Sequence, residues 1–165
     1  MCGIVAYVGS KPAAPVLIEG LKRLEYRGYD SAGLAIAADG GLSVAKSVGR
    51  VSNLEQRVAE DSGQFEGTLG IAHTRWATHG EPNETNAHPH LGVTDDGYTI
   101  ALAHNGIIEN HSSLRTYLEG KGHVLDSGTD TEVLAKLIAE MYAGDLEQAV
   151  QGALREVTGA YALSV

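Results

Sequence analysis

Cys2 is the only cysteine in 165 residues, and it directly follows the initiator methionine in Met1-Cys2-Gly3-Ile4-Val5. Removal of Met1 would leave a free α-amine, with a pKa near ~8, beside a thiol near ~8.5, so one residue could serve as both nucleophile and base. The competing reading is a small apolar residue that opens a strand, since cysteine is often buried. A thiolate attacking an amide carbonyl creates an oxyanion, which Asn105-Gly106 could meet with a side-chain amide N–H and a backbone N–H. The same pair is also an ordinary Asn-Gly turn. Within His73-Thr74-Arg75-Trp76-Ala77-Thr78-His79-Gly80, Arg75 could clamp a carboxylate with two parallel hydrogen bonds, or could be a surface arginine in a salt bridge. Trp76, the sole tryptophan, reads as a lid from its place beside Arg75 in a loop, against the more usual core role. Asp130 stands where a helix begins, so it could cap that helix or bind a substrate ammonium. An α-amino acid needs both a fork for its carboxylate and an anion for its amine.

These residues must be positioned by regular elements. Ile4-Val5-Ala6-Tyr7-Val8 predicts a first strand, and Leu17, Ile18, Leu21 and Leu24 predict a helix opened by Pro12 or Pro15 and closed by Gly28. Ser31 to Ala38 and Leu42 to Ser47 read as two strands joined by the hairpin signal Asp39-Gly40-Gly41. A short helix from Leu54 to Glu60 and a strand from Thr68 to His73 follow. The polar stretch from Thr74 to Gly92 has no period, and is long enough to be a binding loop. Thr99 to His104 predicts a strand, Asn105-Gly106 a sharp turn, and Ser113 to Glu119 a helix. Thr129-Asp130-Thr131-Glu132 has the capping-box pattern, ahead of a buried stripe formed by Val133, Leu134, Leu137, Ile138 and Met141. A last helix, Leu146 to Val157, leads to a strand from Gly159, inside which the chain stops, so the 165 residues read as a fragment of a longer protein. Two antiparallel sheets flanked by helices is the expected α+β arrangement.

Composition narrows the function. A net charge of −9 and a pI near 5.1 supply no basic stripe for nucleic acid, and no apolar run is long enough to span a bilayer. A soluble, cytoplasmic protein is expected, and the single cysteine excludes an internal disulfide. The 21 glycines and 5% aromatic content predict tight turns and close strand packing. Seven histidines, among them His73, His79 and His88-Pro89-His90, invite a metal site. No His-Glu-x-x-His helix or cysteine partner completes one, and no phosphate-cradling glycine loop occurs, so neither metal nor cofactor is expected.

Met1 to Val5, Arg23-Leu24-Glu25-Tyr26-Arg27-Gly28-Tyr29-Asp30-Ser31-Ala32-Gly33, Ala72 through Pro82, His104 through His111, and Thr129 to Glu132 together resemble the glutaminase domain of the glutamine–fructose-6-phosphate aminotransferases (isomerising), also called glucosamine-6-phosphate synthases. The first and last strings are common to all N-terminal-cysteine amidotransferases, whereas Tyr26 to Asp30 and Thr74 to Gly80 point to the aminosugar branch. The resemblance implies an N-terminal-nucleophile αββα sandwich of antiparallel sheets, truncated at its C-terminus, as one glutaminase domain over residues 1–165 without the sugar-isomerase domains. It implies that Cys2 attacks the side-chain amide of L-glutamine, with Asn105 and Gly106 as the oxyanion pair. Arg75 then matches the carboxylate clamp, Asp130 the ammonium anchor, and Trp76 the residue that closes the pocket, while Thr78 and His79 line it and Arg27 stands close to the nucleophile. Glutamate and ammonia are the implied products, and the ammonia is destined for fructose 6-phosphate in a full-length homodimer. The alternatives are an N-terminal-cysteine amidotransferase with another acceptor, or an amino-acid-binding module without turnover.

Overall fold

The computed structural model describes residues 2–38, 40–76 and 81–165. The first sheet has the order β1-β4-β2-β3, built from β1 (Gly3–Val8), β2 (Ser31–Ala38), β3 (Gly41–Val48) and β4 (Leu69–Arg75), with every neighbour antiparallel. Its outer face is covered by α1 (Ala13–Leu24) and α2 (Val51–Glu60), whose Leu17, Leu21, Val51 and Leu54 are fully buried with Leu34 and Ile36 of β2. As the sequence predicts, α1 starts after Pro12, and a 3-10 turn, Glu25–Arg27, carries the chain to Gly28. Glu25 reaches across to accept a hydrogen bond from the Val51 N–H at 2.9 Å, which satisfies one of the free donors at the start of α2.

The second sheet has the order β5-β6-β7, formed by β5 (His90–Val93), β6 (Thr99–Ile108) and β7 (Gly159–Ser164). Helices α3 (His111–Gly120), α4 (Asp130–Glu140) and α5 (Leu146–Glu156) cover it, with Val133, Leu134, Leu137 and Ile138 of α4 buried as predicted. Between the sheets lies a thin core of Ala35, Ile71, Ala101 and Ala103, backed by Leu42, Val44 and Leu91. Small side chains let the two sheets approach closely, which is where the glycine-rich, aromatic-poor composition is used. The result is a four-layer sandwich: helices, sheet, sheet, helices. Among the described residues no helix is long and apolar enough to cross a membrane.

Three sequence expectations change. Asn105-Gly106 is not a turn: β6 runs unbroken through it, with Asn105 opposite Ala162 and Gly106 opposite Tyr161. The local turn signal is overridden because β7 supplies a pairing partner 50-odd residues away in sequence. The polar stretch is shorter than Thr74 to Gly92, since β4 continues to Arg75 and β5 begins at His90. Asp130 is not the cap of α4; Thr129 is, its hydroxyl accepting from the Glu132 N–H at 3.3 Å. The reciprocal half of the capping box is displaced, because Glu132 accepts from the N–H groups of Asp126 and Ser127 at 3.1 and 2.6 Å rather than from Thr129. The hairpin residue Asp39 lies outside the described residues.

Candidate active site

Side chains alternate along a strand, so Ile71, which faces the inter-sheet core, puts His73 and Arg75 on the same face of β4. Ala101 and Ala103 do the same for Asn105 on β6. Gly3 pairs with Thr74, which leaves Cys2 beside Trp76 at the end of the first sheet. At this end the sheets part around a cavity of about 380 Å³, lined by Cys2, Arg75, Trp76, Asn105, Gly106 and Asp130 among others. A larger cavity of about 720 Å³ between α1 and α2 is lined by residues such as Pro15, Ile18, Ala59 and Phe65 and has no thiol, imidazole or guanidinium in its wall, so the smaller one is the candidate site.

The Cys2 sulfur is held by the Trp76 backbone, accepting from its N–H at 3.3 Å and lying 3.7 Å from its carbonyl oxygen. The Asn105 amide nitrogen donates to the Cys2 carbonyl oxygen at 3.4 Å, which brings an N–H donor next to the residue that would attack. Arg75 is not the surface arginine of the simpler expectation. It is 6% exposed, and its guanidinium lies 3.5 Å from the Asp30 carboxylate and donates to the Glu81 carbonyl oxygen at 3.3 Å. A buried fork tethered in this way has a fixed direction, which is what bidentate recognition of a carboxylate requires. Asp130 occupies the first turn of α4, where the helix dipole favours a negative charge, and accepts from the Ile108 N–H at 2.9 Å. Its other oxygen is 3.9 Å from His104 Nδ1.

Trp76 is half exposed and lies against Gly28, where an added Cβ would stand 2.1 Å from the indole. Gly28 also has φ +100, so that position admits only glycine comfortably and the indole can rest on bare backbone. Arg27, just before it, is exposed and is not part of the cavity wall. Thr78 and His79 lie outside the described residues.

Residues 43–165 match the sequence profile of the glutamine amidotransferase domain family. The chain belongs to that family. Over its full length it is 57% identical to the glutamine–fructose-6-phosphate aminotransferase (isomerizing) of Bordetella pertussis and 56% identical to that of Thermus thermophilus, covering 27% and 26% of those proteins. It thus spans about a quarter of the length of the curated relatives it matches. Among solved structures, glutamine phosphoribosylpyrophosphate amidotransferase from B. subtilis superposes with a TM-score of 0.84 at 29% identity, covering 99% of this chain and 34% of that one. A structure described as the allosteric regulatory enzyme of purine biosynthesis superposes with a TM-score of 0.85, also at 29% identity. The four-layer α+β sandwich is accordingly that of the N-terminal-nucleophile amidotransferases.

The amidotransferase domain also has a wall that sequence reasoning missed. His73, His88, His90 and His104 are all buried; His73 and His88 stack at 4.1 Å between ring centroids, and His88 meets His90 edge-on at 5.0 Å. Among the described residues no group of side chains is arranged to hold a metal ion. Burial pushes His73 down to about 4 and His90 to about 3, with Lys46 adding to the depression of His90, and burial with its histidine neighbours pushes His88 well down. His104 is lowered by burial against the opposing pull of Asp130. The rings are therefore neutral, hydrogen-bonding spacers. The available signal was their setting: His73 and His104 each end an apolar strand segment, which favours buried imidazole over ligand.

Gly106 has φ +130, and a Cβ there would stand 2.2 Å from the Ala160 carbonyl oxygen in β7. Gly106→Ala is expected to lose about 2 kcal/mol of stability in urea unfolding from backbone strain, and to lose catalytic rate disproportionately because the strain falls on the cavity wall. Unchanged stability would mean that the backbone at this position relaxes freely.

Proposed function

We propose that the chain hydrolyses L-glutamine to L-glutamate and ammonia. After Met1 is removed, the α-amine of Cys2 takes the thiol proton and the thiolate attacks the side-chain amide carbon. The negative charge that forms on the amide oxygen is met by the Asn105 side-chain N–H and the Gly106 backbone N–H. The α-ammonium of Cys2 returns the proton to the leaving nitrogen, which departs as ammonia and leaves a γ-glutamyl thioester. The same amine then takes a proton from water, the hydroxide attacks the thioester, and the thiolate leaves as glutamate forms. Arg75 holds the substrate α-carboxylate and Asp130 its α-ammonium, while Trp76 closes over the bound amino acid, with Thr78 and His79 as further pocket residues and Arg27 acting close to the nucleophile.

The observation that carries this proposal is the placement of Asn105 and Gly106 in the same cavity wall as Cys2, with the Asn105 amide nitrogen already turned towards that residue. The ammonia is assigned to fructose 6-phosphate, to make glucosamine 6-phosphate, through a sugar-isomerase part of a longer, cytoplasmic, homodimeric protein. Identity of 57% with an isomerizing aminotransferase over the whole chain supports that acceptor. The likeness to phosphoribosylpyrophosphate amidotransferase supports the glutamine step without favouring an acceptor.

Incubation with 6-diazo-5-oxo-norleucine followed by intact-mass analysis tests the proposal. One adduct on Cys2 of a demethionylated chain is the expected result. A demethionylated chain with no adduct and no ammonia release from glutamine would overturn it.

A further inference from the structure

An asparagine that serves as an oxyanion donor has a weakness: its amide can turn end over end at little cost, which would replace an N–H with a lone pair where negative charge must develop. Asn105 stands between two partners that remove this freedom. On one side is the Cys2 carbonyl oxygen at 3.4 Å, an acceptor, so the amide must present its nitrogen there. Its oxygen therefore faces the other way, 2.8 Å from His73 Nε2. Two acceptors would repel at that distance, so Nε2 must carry the proton of the neutral ring. Nδ1 is then bare and makes no hydrogen bond of good geometry, although the His104 backbone lies close enough to the ring to favour its protonation against the larger effect of burial.

The ring itself is fixed. His73 is 1% exposed, on an inner strand of its sheet, and stacks on His88 at 4.1 Å with 21° between the planes. His88 in turn accepts the His104 backbone N–H at Nδ1, at 3.3 Å, and packs edge-on against His90. An imidazole clamped from behind by a second imidazole cannot swing away from Asn105.

We infer that His73 is a positioning residue for the oxyanion pair: its Nε2–H, held by the His88 stack, locks the Asn105 amide with the nitrogen towards Cys2. This inference rests on the glutaminase reading for its kinetic consequence, but the hydrogen bond and tautomer do not depend on it. Burial, which pushes His73 down to about 4, keeps the ring neutral near pH 7, and Nε2 remains the donor when the ring is charged. While the domain stays folded, the lock consequently does not depend on the charge of the ring.

The test is a double-mutant cycle in the full chain, with glutamine hydrolysis as the readout. His73→Leu removes the donor and should lower kcat by about 10²-fold, the scale of losing one aligned oxyanion donor, with KM changed less than about threefold. His73→Gln, whose side-chain N–H can reach the same oxygen, should recover most of the loss. In an Asn105→Ala background His73→Leu should have no further effect on kcat, because there is no amide left to align. Multiplicative losses, or a rise in KM at constant kcat, would overturn the inference. If His73→Leu does not fold, histidine nitrogen shifts of the wild-type chain decide the matter: a proton on Nε2 is required, and a proton on Nδ1 overturns it. A wild-type chain with that tautomer but no glutamine hydrolysis would sink the glutaminase reading and leave the Asn105 lock standing.

Discussion

Cys2→Ala should reduce glutamine hydrolysis by about 10⁴-fold or more while leaving glutamate affinity within about threefold of wild type. The asymmetry follows from the division of labour in the cavity. In the proposed reaction Arg75 and Asp130 hold the two ends of the amino acid, and each is tethered independently of the sulfur, Arg75 by Asp30 and Glu81 and Asp130 by the Ile108 N–H. Removing the sulfur deletes the only group in the chain that can form a thioester, since no other cysteine exists. The fold should survive, because among the described residues the sulfur makes two long contacts, both with the Trp76 backbone. Release of glutamate in a coupled assay and calorimetric titration with glutamate measure the two quantities separately. A variant that still turns over would place the nucleophile elsewhere, and one that neither binds nor turns over would make Cys2 part of the binding surface. Normal turnover by a chain that keeps Met1 would exclude the α-amine as the base.

Acid should unfold the domain early and steeply. His73, His90 and His88 have folded-state pKa values of about 4, about 3 and well below the ordinary 6.5, all three lowered chiefly by burial. Between those values and 6.5 the unfolded chain binds protons that the folded chain refuses, so the stability these residues provide is complete above about pH 6.5 and is lost as pH falls towards 4. Each such histidine contributes about 1.4 kcal/mol per pH unit, so the three together remove about 4 kcal/mol per unit below pH 6. Against a total stability on the order of 5–15 kcal/mol, the unfolding midpoint should lie at about pH 5 for a domain at the low end of that range and at lower pH for a more stable one. Arg75 and Lys46 sharpen the effect, since both positive charges face the cluster and oppose its protonation. Urea midpoints at pH 7, 6 and 5, together with the number of protons taken up on unfolding, give the slope directly. Constant stability from pH 6.5 to 5 would mean that the rings open to solvent and protonate in place.

Most of the elements were legible in the sequence because each rests on a local signal. The stripe of Leu17, Ile18 and Leu21 gives α1, and the alternating or apolar runs on either side of Gly40-Gly41 give β2 and β3. The thin alanine core between the sheets was foreshadowed only as a composition. Asn105-Gly106 shows where local reasoning fails: in isolation the pair is a turn, yet pairing with Tyr161 and Ala162 draws it into a strand and bends Gly106 to a backbone angle that glycine alone tolerates. At Arg75 the charge alone leaves a surface salt bridge as open as a clamp, and it is β4 that carries the residue, buried, to the cavity between the sheets. The histidines invite a metal reading from the sequence because their spacing is visible there and their stacking is not.

By itself the sequence determined the chemistry available: a single thiol next to a removable methionine, an amide beside a glycine, a guanidinium next to an indole, and a carboxylate at a helix start. Those are properties of residue type and of neighbours within a few positions, which the linear chain carries intact. Only the tertiary structure decided that Cys2, Arg75, Asn105 and Asp130 share one cavity, and that His73 turns the Asn105 amide towards Cys2. The physical reason is that the site lies between two sheets whose strands are 30 to 100 residues apart in sequence, so its geometry depends on register and sheet-to-sheet packing, which no local pattern encodes.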